Sequence, residues 1–141
     1  MTTKQHNGSN RKIIRLRGLA SSGIGESRFF TEITWVKSQF IDKLGINPFP
    51  GTFNITVIAE DKEKFNTVRK SKGIEIIPED TNFCSAHSFP VLINGKIKGA
   101  AIIPHISNYP QAQLEVISAE NIKQSLSLED GDPVDIEVIL R

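Results

Sequence analysis

One cysteine stands in 141 residues, and that scarcity closes two routes at once. A single thiol excludes an internal disulfide and a cysteine-rich zinc cage. An excess of charge of one sign is missing too. The 17 basic and 16 acidic residues leave a formal net charge of +1, which gives no general pull toward nucleic acid or a membrane surface. No apolar run approaches the length of a membrane span, and the first residues show no signal-peptide pattern. A cytoplasmic location without a membrane partner is therefore expected. The chain has no internal repeat and no Cys/His/Asp spacing that argues for nucleophilic catalysis. Its 38% hydrophobic and 23% charged residues argue for a folded globular chain rather than a disordered one. The length suits one domain with a real core.

Residues 1–10 are polar, with Gly and Ser and no periodicity, and read as a disordered leader. The remainder, 11–141, reads as a single domain. From Lys12 to Leu19, Ile14 and Leu16 alternate with Arg15 and Arg17, a strand pattern. Gly18 to Phe30 is rich in glycine and small residues and reads as a loop. Its backbone N–H groups could cradle phosphates, with a charge-assisted contact from Arg28. The Gly-Lys-Ser/Thr ending of a Walker loop is absent, and an ordinary glycine-rich turn stays open. Ile33, Val36, Phe40 and Leu44 form one helical stripe, closed by Gly45. A short surface helix follows over Asp61–Lys72, then a brief strand over Gly73–Ile77.

Asn94-Gly95 between Cys84–Ile93 and Lys96–Ile103 is the clearest hairpin signal. Cys84 is expected to pack as a small hydrophobe and His87 to sit on a strand face. Leu114–Ile117 reads as a strand carrying one carboxylate, Glu115, which could serve as a general base if a substrate hydroxyl came within reach. Ser118 can cap a short helix running to Leu126. After an Asp130-Gly131-Asp132 turn, Pro133–Leu140 alternates again. Short strands without a βαβ rhythm predict a mainly β fold, a small and mostly antiparallel barrel with one longer and two short helices on its loops.

The stretch with the most chemical content is Asn47-Pro48-Phe49-Pro50-Gly51-Thr52-Phe53-Asn54. Two prolines fix the backbone and Gly51 permits a tight turn. Thereafter Phe53, Ile55 and Val57 face one way, and Thr52, Asn54 and Thr56 the other. Thr52 and Asn54 offer two neutral oxygen donors on one face, and Mg²⁺ takes such ligands while water and phosphate fill its other positions. A half-exposed strand with Thr at a favoured position is the plainer alternative.

Taken together, several stretches resemble the archaeal-type CTP-dependent riboflavin kinase family. They are Ser22-Gly23-Ile24-Gly25-Glu26-Ser27-Arg28-Phe29-Phe30, Leu44-Gly45 with Pro48–Asn54, Gly99–Pro104, Leu114–Ala119 and Leu128–Val134, in order and with compatible spacing from about Arg15 onward. The resemblance implies a six-stranded cradle-loop (RIFT-like) barrel. It also implies transfer of the CTP γ-phosphate to the 5′-hydroxyl of riboflavin, giving FMN and CDP. By the same resemblance Gly23, Ile24, Gly25, Glu26, Ser27, Arg28 and Phe29 correspond to the nucleotide-binding loop. Glu120, Asn121, Ile122 and Lys123 correspond to the segment that holds the cytidine nucleotide, Thr52 and Asn54 to the Mg²⁺ ligands, and Ser107 and Glu115 to flavin contacts. Glu115 is the candidate catalytic base. Phosphoryl transfer asks mainly for positioning and charge neutralisation, so a glycine loop, Mg²⁺ and one base suffice.

The chain departs from the family's pattern in places. Ser27 stands for a usual glycine, Ser107 for a threonine and Lys123 for an arginine, which removes any bidentate contact there. The Asn108–Gln111 segment also differs. Two classes of function follow. One is a monomeric enzyme acting on small molecules, CTP and riboflavin, or a kinase paralogue with another acceptor or donor. The other is a non-catalytic barrel that binds a nucleotide or flavin as a sensor or interaction module.

Overall fold

Residues 11–22, 27–80 and 83–140 are described by the computed structural model, residues 27–29 by their backbone alone. Seven strands form one antiparallel sheet: β1 (Lys12–Ser21), β2 (Phe53–Val57), β3 (Ile74–Ile76), β4 (Ala86–Ile93), β5 (Ile97–Pro104), β6 (Gln113–Ile117) and β7 (Pro133–Leu140). The order β4-β5-β6-β2-β1-β7 closes on itself through β4–β7 pairing, so six strands make a barrel and β3 is an extra strand. β4 serves two neighbours along its length. Ala86–Ser88 pair with β3, and Val91–Ile93 pair with β7. Pro90, which cannot donate a ladder hydrogen bond, stands at the changeover.

Alternation decides which face each residue occupies. Leu16, Ile55, Phe89, Leu114, Val116, Ile136 and Val138 fill the barrel interior. On the outer face of β5 and β6, Ala100, Ile102 and Ile117 form a second core with Val36, Phe40 and Ile46. Val36 and Phe40 belong to α2 (Thr34–Leu44), which Gly45 ends in the left-handed conformation. The remaining helices are α1 (Ser27–Glu32), α3 (Lys62–Lys70) and the single turn α4 (Ile122–Ser125).

Several expectations need correction. The stretch read as a loop over Gly18–Phe30 is instead strand at its start, because Gly18–Ser21 continue the ladder to β2. From Ser27 it is helix. Ser27 therefore has helical backbone, and the substitution for glycine carries no positive-φ strain. The Asn94-Gly95 turn has both expected positive φ angles, 51° and 66°. However, Ile93 pairs with Ile97, so the strand resumes one residue later than a two-residue turn implies. Cys84 is exposed rather than packed. It precedes β4, outside both cores. His87 does lie on a strand face, where its Nδ1 meets His105 Nε2 at 2.7 Å. Ser118 does not cap α4. Its hydroxyl donates to Lys98 O at 2.9 Å, and Asn121 takes the capping role by accepting from Gln124 N–H at 3.1 Å.

Candidate functional site

The Pro-rich turn is anchored from two sides. Gly51 N–H donates to the hydroxyl of Thr31, a buried residue of α1, at 2.8 Å. Phe49 N–H donates to Ser118 O, just past β6, at 2.8 Å. Gly51 itself has φ 98°, a conformation that L-residues with a Cβ resist. The turn thus delivers Thr52 and Asn54 to a fixed place on the outside of the barrel, while Phe53 and Ile55 point into its core.

Strand register then assembles a row that no local pattern encodes. Asn54 pairs with Ser21 on one side and Glu115 on the other, and Glu115 pairs with Ile102. Thr52 Oγ1–H donates to Glu115 Oε1 at 2.9 Å. The Tyr109 hydroxyl donates to Glu115 Oε2. Gln113 Nε2 donates to Asn54 Oδ1 at 3.4 Å, and Asn54 Nδ2 donates to Thr52 O at 3.3 Å. Burial, and then the Glu115 carboxylate, push the Tyr109 phenol well above its ordinary pKa, so it remains a proton donor across the working pH range.

A cavity of about 340 Å³ opens beside this row. Ser21, Ser22, Phe49, Thr52, Asn54 and the Glu120–Lys123 segment contribute to its wall. Thr52 and Asn54 fit a hard divalent cation. The Thr52 hydroxyl donates its proton to Glu115, and a hydroxyl oxygen that donates can still act as a neutral ligand. Among the described residues the Asn54 carbonyl oxygen accepts one long hydrogen bond, from Gln113, and Mg²⁺ is commonly held by few protein oxygens. Among the described residues no cluster of three or more His, Cys, Asp or Glu side chains is placed to hold a metal ion. A cation here would depend on neutral oxygens, water and a substrate's phosphates.

The Lys123 ammonium pairs with Asp130 Oδ1. Ser22 Oγ–H donates to Asp130 Oδ2 at 2.6 Å. Lys123, and secondarily Ser22, hold the Asp130 carboxyl below its ordinary pKa. Backbone bonds seat this turn against β1, from Gly131 N–H to Ala20 O at 2.7 Å and from Ala20 N–H to Asp132 O at 2.8 Å. Glu120 accepts from Ser125 Oγ at 2.6 Å, and Ile122 anchors α4 in the barrel core.

The structure brings together Thr52, Asn54 and Glu115, and the Glu120–Lys123 segment lines the same cavity as the two oxygen donors. Glu115 does not itself line that cavity; it lies behind Thr52 on the same outer face. Ser107 is exposed in the loop after β5 and does not reach the cavity wall. Gly23, Ile24, Gly25 and Glu26 lie outside the described residues, and of Ser27, Arg28 and Phe29 only the helical backbone is described. Sequence reasoning missed Thr31, Tyr109 and Asp130, whose partners are 20, 6 and 108 residues away. Tyr109 alone carried a signal, as the chain's one tyrosine in a segment that departs from the family's pattern.

A closed six-stranded antiparallel barrel with an extra strand and few helices, carrying an outward-facing oxygen pair beside a cavity, defines a cradle-loop barrel protein in its architecture. The family model for CTP-dependent riboflavin kinases, described as a domain of unknown function (DUF120), matches residues 20–138. The chain belongs to that family. Among its relatives, the riboflavin kinase of Archaeoglobus fulgidus is 38% identical over 90% of this chain and 55% of its own length. That of Sulfurisphaera tokodaii is 36% identical over 92% of this chain and 98% of its own. That of Methanothermobacter thermautotrophicus is 34% identical over 83% and 93%. The chain thus spans about half of the Archaeoglobus protein but nearly all of the other two. No described helix is long and apolar enough to cross a membrane.

Proposed function

We propose that the protein is a CTP-dependent riboflavin kinase. The observation that carries this reading is the Thr52–Glu115 hydrogen bond at 2.9 Å. It couples a cation-ready oxygen to a carboxylate able to accept a proton. In this reading the 5′-hydroxyl oxygen of riboflavin bonds to the γ-phosphorus of CTP as the bond to the β-phosphate oxygen breaks. The hydroxyl proton passes to Glu115, and CDP leaves. Mg²⁺, held by Thr52 and Asn54, would neutralise charge on the phosphates. Lys123 contributes a positive charge at the same cavity, Asn121 holds α4 in place, and Ser21 and Ser22 supply hydroxyls at the wall. Ser107 is assigned to the acceptor side together with Glu115. Membership of the family and the names of its relatives support the acceptor and donor.

Purified protein incubated with riboflavin, Mg²⁺ and CTP, ATP, GTP or UTP in parallel tests the reading. FMN formed mainly with CTP is the expected product pattern. Folded protein that makes no FMN with any donor overturns it. A second reading, a binding module without turnover, is favoured by one observation. Both Glu115 oxygens already accept hydrogen bonds from the protein. Tight nucleotide binding without FMN would select it.

A further inference from the structure

The Glu115 carboxylate that would receive the acceptor's proton is already occupied. Oε1 is taken by Thr52 and Oε2 by the hydroxyl of Tyr109. An aromatic hydroxyl donating to this carboxylate makes the same bond that a substrate hydroxyl must make before it can react. A carboxylate oxygen has a second lone pair, but a substrate hydroxyl that approaches along the direction the phenol uses has to displace it.

The loop carrying Tyr109 is fixed at its ends and loosely held in its middle. At one end His105 N–H donates to Ser85 O at 3.0 Å. At the other, Val57 N–H donates to Ala112 O at 2.8 Å, and Arg69, whose guanidinium lies 4.0 Å from the Phe65 ring centre, donates to Gln111 O. Between these anchors the backbone bond from Tyr109 N–H to Ile106 O is long, at 3.4 Å. The side chain of Ile106 is 46% exposed. The Tyr109 hydroxyl therefore ties the middle of the segment to β6, and the exposed Ile106 stands three residues before it.

We propose that Tyr109 is a built-in stand-in for the acceptor hydroxyl, holding Glu115 Oε2 in the free protein and yielding it when the acceptor binds. Tyr109 then sets acceptor affinity by competition. The inference rests on the riboflavin kinase reading and adds a specificity-determining residue to it. Raised acidity is not needed for this role. A phenol that stays protonated remains a competent competitor throughout the neutral range.

The test has two arms. Tyr109→Phe removes the competing hydroxyl and keeps the ring. The expected result is a fall in KM for riboflavin of about three- to tenfold, the scale of one ordinary intramolecular hydrogen bond, with a matching rise in kcat/KM. A fall in kcat at unchanged KM overturns the proposal, because it means Tyr109 orients Glu115 rather than competing for it. The second arm uses the unaltered sequence. Protein labelled with ¹³C at the tyrosine Cζ gives a single resonance, since the chain has one tyrosine. Saturating riboflavin, followed independently by quenching of flavin fluorescence, is expected to move that resonance toward the position seen in unliganded Glu115→Gln. Riboflavin binding without a shift overturns the proposal alone. Failure of riboflavin to bind to either the parent or Tyr109→Phe overturns the kinase reading, and this inference falls with it.

Discussion

In the proposed reading Thr52 and Asn54 hold Mg²⁺ without carrying charge, so its affinity would be borrowed from the substrate's phosphates. The Thr52→Ala/Asn54→Ala variant should therefore keep its fold and part of its nucleotide binding. Its turnover should fall by about a hundredfold or more, as when an electrostatic stabiliser of developing charge is removed. FMN formation assayed over a Mg²⁺ titration, beside a nucleotide-binding isotherm, checks both halves of that statement. Asp130 keeps Lys123 beside the cavity and is itself held by Ser22. Asp130→Asn should leave thermal melting nearly unchanged, because exposed ion pairs contribute little to stability. It should raise KM for the nucleotide a few-fold. Neither Asp130 nor Tyr109 could be assigned from sequence, because each acquires its role from a partner that only the folded chain brings near. Thr52 and Asn54 were legible, since an i, i+2 pair after a rigid turn lies on one face whatever the rest of the chain does.

At the scale of elements, the site depends on one turn and one cap. Gly51 has φ 98° and open space where a Cβ would project. Gly51→Ala should therefore cost about 1–2 kcal/mol through backbone strain alone, read as a shift in the urea midpoint at constant slope. Asn121 caps the single turn that carries Lys123. Asn121→Ala should cost about 1 kcal/mol and loosen nucleotide binding in the same titration. The strands were the most legible elements, because residues alternate strictly through β2 and through most of β1 and β7, and the Asn94-Gly95 turn has a local cause. Register was not legible. The row Ser21–Asn54–Glu115 spans three strands far apart in sequence, and nothing local fixes which residue meets which. Ser118 shows the limit of local reading. A serine ahead of a helix is a natural cap, yet its hydroxyl is claimed by Lys98 O across the sheet.

For the whole molecule, acid sensitivity follows from a second, non-catalytic contact. The buried carboxylate of Asp61 accepts from Arg17 Nη2 at 2.8 Å, from Nε at 3.1 Å and from the backbone N–H of Arg17 at 2.8 Å. The Arg17 hydrogen bonds outweigh burial and hold the Asp61 carboxyl down at about 2, against an ordinary value of 3.8. A folded pKa below the unfolded one means that this contribution is fully present above about pH 4. It is lost progressively as pH falls toward 2, where the folded state must take up the proton as well. Urea unfolding of the parent and of Asp61→Asn between pH 2 and 7 checks this. The difference between them should be largest at neutral pH and shrink below pH 4. Fold class was legible at this scale, because short strands without a βαβ rhythm leave few alternatives to a barrel. Closure was not, because it depends on β4 changing partner midway.

That changeover at Pro90 has a consequence for how the chain is made. β7 follows the other six described strands in the chain, and it joins β1 to the second half of β4. Until residues 133–140 leave the ribosome, β1 and β4 both present unpaired backbone, which is an invitation to join with other nascent chains. Lys12 must find Leu140 across almost the whole polypeptide, a closure that is slow because so much intervening chain has to be ordered first. The barrel therefore closes only once β7 has been made. Loss of residues 133–140 would leave an open sheet with two unpaired edges, prone to aggregation rather than merely shorter.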